Sequence, residues 1–227
     1  ESRMLSLDKT KDVNALKSFL GNHKGILSYK MDGLTVVLTY NKGELIQAVT
    51  RGNGEIGEDI THNAKFFKNI PLRIDFKQEL VLRGEAVISF KDFNIINEEL
   101  APEDKYKNPR NLCSGTVRQL NSEISAKRNV NFIAFALFKA EGKEFTDDKN
   151  ERFIWLESMG FECVKRKEVD AQNIEAAVKE FEEQIPNNPY ATDGLVLTYS
   201  SVEYSESLGS TAKFPKDSIA FKDRKST

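Results

Sequence analysis

The chain alternates between two kinds of hydrophobic pattern. One recurs every three to four residues, and the other is dense or strictly alternating. Residues 8–20, DKTKDVNALKSFL, carry the first pattern and predict a short amphipathic helix with Asp8 or Thr10 as N-cap. GILSYKMDGLTVVLTYNKGELIQAVTR (25–51) carries the second and predicts three consecutive strands, with a hairpin turn at NKGE (41–44). EDITHNAKFFKNI predicts a helix ending before Pro71. ELVLRGEAVIS predicts a strand, and FKDFNIINEEL a helix. NPRNLCSGTVRQLN predicts a helix with Pro109 in its first turn. VNFIAFALF is unbroken apolar and predicts a strand in the centre of a sheet. KNERFIWLESMGF is a helix closed by Gly160. In DAQNIEAAVKEFEEQI, residues Ile174, Ala177, Val178, Phe181 and Ile185 fall on one helical face. TDGLVLTYS and AKFPKDSIAFK predict the last strands.

Neighbouring early strands without a β-α-β rhythm indicate one α+β domain with mixed, largely antiparallel sheets and flanking helices. The 227 residues suffice for one large core. The longest apolar run, Phe132 to Phe138, is far too short to cross a bilayer. Cys113 and Cys163 form no disulfide framework, which fits a reducing, cytoplasmic setting. The net charge of −2 gives no global attraction to a polyanion, so any nucleic acid must meet a local basic surface.

TRGNGEIGED (50–59) contains Gly52-x-Gly54-x-x-Gly57, the spacing of a dinucleotide-binding loop. Such a loop follows the first strand of a βαβ unit and has an acidic residue ending the next strand. Here the loop follows the third strand of a meander, and Asp75 lies in a polar stretch. The glycines therefore serve another purpose. Lys30 and Asp32 in YKMDG project to one side of an extended segment, and Gly33 permits close approach. A lysine becomes a nucleophile when burial or a nearby cation lowers its pKa, and Lys222 in SIAFK is a candidate cation. Arg83 and Glu85 share one strand face. Arg110 and Arg118 lie eight apart on one helix, and Asp193 precedes a strand. His23 and His62 are far apart and build no metal site, and no side-chain cluster elsewhere suggests one. Cys113 and Trp155 read as core residues, and the acidic helix around 175–183 as a solvated face.

From MLSL (4–7) to AFK (220–222), these segments together resemble the adenylation (nucleotidyltransferase) domain of NAD-dependent bacterial DNA ligases. SYKMDG resembles the family's K-x-D-G motif and TRGNGEIGEDIT its T-R-G-D-G-x-x-G-E-D-V-T. VLRGE, NPRNLCSGTVRQL, TDGLVL and TAKFPKDSIAFK follow in family order. ATP-dependent polynucleotide ligases and capping-type enzymes share K-x-D-G, but TRGNGEIGED and NPRN…RQL point to the NAD branch. The resemblance implies a nucleotidyltransferase (ATP-grasp-like) fold over residues 1–227, with the family's NAD-recognition subdomain and OB-fold outside this chain. It implies that Lys30 attacks the α-phosphorus of NAD to form lysyl-AMP, which then passes to the 5′-phosphate of nicked double-stranded DNA with Mg²⁺ present. Asp32 and Asp193 belong to the reaction motifs, and Lys222 contacts the α-phosphate. Arg51 and Glu85 hold the ribose, Phe135 stacks on adenine, and Ser6 and Leu7 line the pocket. Arg110 and Arg118 face phosphates of the nucleotide or nick. The family's glycine turn presents Arg51 to the nucleotide. A monomer is implied.

Three positions depart from the family pattern. Ser28 stands where the family has a Glu that reads the adenine edge, Thr198 where it has a Lys that contacts the α-phosphate, and Ile185 where it has an Arg. These changes motivate a second reading, an adenylate-binding or DNA-interaction module of the same fold with weakened chemistry.

Overall fold

The computed structural model describes residues 6–52, 57–211 and 214–222. Two antiparallel-rich sheets face each other. The first has the order β1-β9-β8-β2-β7. Its strands are β1 (Asp8–Thr10), β2 (Gly25–Met31), β7 (Arg166–Val169), β8 (Thr192–Tyr199) and β9 (Ser218–Phe221). The second has the order β4-β3-β5-β6. Its strands are β3 (Leu34–Asn41), β4 (Glu44–Thr50), β5 (Leu80–Val87) and β6 (Asn131–Ala140). All pairings are antiparallel except β1 with β9.

The helices are α1 (Val13–Leu20), α2 (Thr61–Ala64), α3 (Phe90–Glu99), α4 (Pro109–Val117), α5 (Ser122–Ala126), α6 (Lys149–Ser158), α7 (Ile174–Gln184) and α8 (Val202–Leu208). They flank the sheets and divide the interior in two. One apolar cluster packs α1 and α7 on the first sheet through Leu16, Leu20, Ile174, Val178 and Phe181. The larger cluster joins the second sheet to α4 and α6 through Leu82, Phe132, Leu112 and Leu156. Cys113 is fully buried and Trp155 packs against this cluster, as expected of core residues.

Several sequence expectations are corrected. Residues 8–10 form β1, because the parallel pairing of Asp8–Thr10 with Ile219–Phe221 captures the backbone that the helix would use. The cap of α1 is consequently Asp12, which accepts from the Asn14 amide. The helix expected over 58–70 shrinks to the single turn of α2. Beyond it the Lys68 amide donates to Val130, and Asn69 pairs with both backbone groups of Phe132, so this segment serves as an edge partner for β6. β2 does not continue a meander into β3: the chain crosses from one sheet to the other at Asp32-Gly33. The β3–β4 turn is as expected, with positive φ at Lys42 (53°) and Gly43 (79°), the signature of a tight two-residue hairpin.

β6 is an edge strand and not a central one. Its uninterrupted apolar run has a different origin. The pairing with β5 slips between Gly84↔Ala134 and Arg83↔Ala136, and again between Leu82↔Leu137 and Val81↔Lys139. Phe135 and Phe138 are the extra residues at these two bulges. A bulge re-aims its side chain, and both rings are turned out, 37% and 52% exposed. Two members of the run thus serve a cleft and not the sheet core.

Candidate active site

Between the sheets lies a cleft of about 1070 Å³. Its floor is β2, β8 and β9. Its far wall is β3, β5 and the bulged part of β6, with α4 and α6 at the sides. Every residue picked from the sequence as catalytic, nucleotide-binding or phosphate-facing lines it: Lys30, Asp32, Asp193, Lys222, Ser6, Leu7, Ser28, Arg51, Glu85, Phe135, Thr198, Arg110 and Arg118. Ile185 does not. It packs with the α1/α7 cluster, completing the apolar face of α7.

A bulge sets the centre of the floor. Tyr29 pairs with Leu195 and Met31 with Thr192, so Asp193 and Gly194 together oppose the single residue Lys30. The extra residue brings Asp193 beside Lys30: Nζ of Lys30 lies 3.2 Å from Oδ2 of Asp193. Lys222, just past the end of β9, donates to the same oxygen at 2.8 Å. Burial pushes the Asp193 carboxyl up, but the hydrogen bonds and charges of Lys222 and Lys30 outweigh it and hold the group below the ordinary carboxylate range. Two ammonium groups therefore converge on one ionised carboxylate.

Gly33 fixes the passage from floor to wall. A Cβ there would lie 2.1 Å from the carbonyl oxygen of Ala86. Its amide donates to Oε2 of Glu85 at 3.2 Å, and the Thr35 hydroxyl donates to Oε1 at 2.8 Å. Burial nevertheless dominates at Glu85 and pushes its carboxyl up to about 7. Beside it, the Arg83 guanidinium lies 4.9 Å from the centre of the Phe138 ring. Arg51 enters from the end of β4, its backbone amide on Thr35 and its Nη2 2.8 Å from the Ser6 hydroxyl. At the rim, Arg110 lies 3.6 Å from Asp32, and Nε of Arg118 lies 3.0 Å from Glu58. The inner end of the glycine loop is thus tied to the cation that caps the C-terminal end of α4. Gly54 lies outside the described residues, as do Met4, Leu5 and Lys213.

Among the cleft residues that the sequence did not mark are Phe138, Lys149, Arg152 and Asp217. Lys149 donates to the Thr198 hydroxyl at 2.7 Å and to Asp217 at 2.9 Å. One signal was available. Lys149 is the first residue of α6, where the positive end of the helix dipole disfavours a cation, so a specific partner is needed.

Among the described residues no group of three or more His, Cys, Asp or Glu is arranged to hold a metal ion. No helix among them is long and apolar enough to cross a membrane.

A lysine and a second cation thus meet at one carboxylate, in a cleft between two antiparallel-rich sheets. The fold has counterparts among solved structures. An archaeal ATP-dependent RNA ligase superposes with a TM-score of 0.58 at 16% identity, covering 98% of this chain and 48% of that one. A putative ATP-dependent DNA ligase from Aquifex aeolicus gives 0.56 at 12% identity, covering 98% and 50%. At such identities these likenesses speak to the fold.

The sequence carries the more specific assignment: residues 1–225 match the NAD-dependent DNA ligase adenylation domain, and the chain belongs to that family. It is 57% identical over 225 residues to a DNA ligase of Lachnoclostridium phytofermentans and 56% identical to one of Ruminiclostridium cellulolyticum. In each case the match spans 99% of this chain and 34% of the relative, so the chain corresponds to about a third of those proteins.

Proposed function

We propose that this chain is the catalytic core that activates adenylate for nick sealing, with Lys30 as nucleophile. The observation that carries the proposal is the pairing of Lys30 and Lys222 on Asp193 at the floor of the cleft. Lys30, once deprotonated, attacks the α-phosphorus of NAD. The N–P bond forms, the P–O bond to nicotinamide mononucleotide breaks, and that mononucleotide leaves. Lys222 remains beside the α-phosphate and neutralises the charge that builds there. Asp193 holds both ammonium groups in register and is the carboxylate nearest the Lys30 protons.

The wall matches the rest of an adenylate. Glu85 and Arg51 would bind the ribose, and Phe135, turned out by its bulge, offers a ring face for adenine. Arg110 and Arg118, exposed at the rim, would meet phosphates of the nucleotide or of nicked duplex. Mg²⁺ typically keeps several waters and binds through one or two carboxylates plus substrate phosphates. Asp32 at the cleft mouth fits that role, and the ion would stabilise charge on the transferring phosphoryl group. AMP then passes from Lys30 to a 5′-phosphate on nicked DNA, and the 3′-hydroxyl displaces it.

The test is release of nicotinamide mononucleotide from NAD in a single turnover. One equivalent per chain, lost in Lys30→Ala, supports the reading. Release that persists in Lys30→Ala contradicts it.

A further inference from the structure

We propose that the Lys149–Asp217 pair reads the base of the nucleotide held in the cleft, and that the base it suits is adenine. This rests on the nucleotide reading above and extends it to a recognition pair that the sequence did not single out.

The position comes from strand register. Lys222 marks the phosphate end, and Ser218 lies four residues earlier on the same strand, opposite Thr198. On β2, Ile26, the partner of Thr198, likewise lies four residues before Lys30. At about 3.3 Å per residue, four residues span about 13 Å, roughly the reach of an adenylate from its phosphate to the far edge of its base. Lys149, Asp217, Thr198 and Ser218 cluster at that far end, and all four line the cleft.

The chemistry comes from the hydrogen-bond inventory. An ammonium has three donors. Lys149 gives one to Thr198 and one to Asp217, and among the described residues no third acceptor takes the last. Asp217 accepts from Lys149 on Oδ2 and from the Ser218 hydroxyl on Oδ1 at 3.2 Å, and a carboxylate has lone pairs to spare. A donor therefore stands beside an acceptor. Adenine presents the complementary pair, an exocyclic amine beside a ring nitrogen, on either of two edges (N1 or N7).

The energetics argue against a merely structural pair. The two side chains are only 20% and 29% exposed. Burial pushes the Lys149 ammonium below its ordinary pKa, with Asp217 opposing. The lysine also sits against the dipole of α6. A surface pair would avoid both penalties by reaching into water.

The test is binding of AMP and three analogues to the intact chain: carbon in place of N1, carbon in place of N7, and loss of the exocyclic amine. On the wild type, one of the two ring-nitrogen analogues should bind roughly tenfold more weakly than AMP, and so should the amine-free analogue. Lys149→Met should erase the ring-nitrogen penalty, and Asp217→Leu, which removes the acceptor, should erase the amine penalty. Analogues that bind the wild type as AMP does would overturn the proposal, as would penalties that persist undiminished in the variants. If a variant fails to fold in a thermal melt, the wild-type series decides alone. Failure of AMP itself to bind would sink the nucleotide reading as well, whereas tight AMP binding without discrimination would sink only this one.

Discussion

Lys30 and Lys222 donate to the same oxygen of Asp193, at 3.2 and 2.8 Å, although 192 positions of sequence separate the two lysines (222 − 30). Asp193 is there because β8 carries one residue more than β2 at this point. Asp193→Asn should leave two ammonium groups facing a neutral amide. Formation of lysyl-AMP from NAD should then slow by about two to three decades, read by single-turnover mass spectrometry, while AMP still binds. An unchanged rate would remove Asp193 from the chemistry.

Glu85 gives a pH dependence with a defined sign. Its folded carboxyl lies at about 7 against an ordinary 4.5, so the native state keeps a proton that the unfolded chain has released. Stability therefore falls as pH rises from about 4.5 to about 7 and levels off above, by at most about 3 kcal/mol. Urea titrations of the wild type and Glu85→Gln across this window should show the slope flattened in the variant. A wild type whose stability is flat or rising there, with no difference from Glu85→Gln, would contradict the burial argument.

Gly33→Ala tests the passage between sheets. The new methyl would meet the Ala86 carbonyl oxygen at 2.1 Å, which is backbone and cannot swing aside. A loss of about 2–3 kcal/mol in urea unfolding is expected. A loss below about 0.5 kcal/mol would show that the crossing relaxes freely.

Asn63 holds the base of the arginine-bearing helix. Its amide donates to the carbonyls of Val117 at 2.7 Å and Gln119 at 2.8 Å, and its oxygen accepts from Ser125 at 2.6 Å. It is 1% exposed. Asn63→Leu should cost about 3 kcal/mol by stranding those partners. Because Arg118 lies between the two anchored carbonyls, the variant should also weaken binding of nicked duplex. Wild-type melting with wild-type DNA affinity would refute this role.

The motifs made much of the site legible. K-x-D-G, the Arg83/Glu85 strand and the Asp193-Gly194 pair, which lies within β8 and not ahead of it as the sequence suggested, each carry residues that line one cleft. Helices with a clear stripe were equally readable: α7 buries Ile174, Ala177, Val178 and Phe181 as their spacing implies. What escaped depends on pairing between distant segments. β1 exists because β9 lies beside it, and the 58–70 segment yields to β6. The run at 132–138 looked central because a sequence cannot show the two bulges that turn Phe135 and Phe138 outward. Lys149 looked like any helical lysine, since its partners Thr198 and Asp217 lie 49 and 68 residues away.

Lys30 is the proposed nucleophile, and intact mass measures its adenylation directly. The chain, alone and joined to the family's NAD-recognition subdomain, would be incubated with Mg²⁺ and either NAD or ATP, beside Lys30→Ala. The expected result is a gain of one AMP with NAD only, absent from Lys30→Ala. No adduct in either form, with AMP still binding reversibly, would contradict the catalytic reading and leave an adenylate-binding module in which Ser28 and Thr198 have displaced the chemistry.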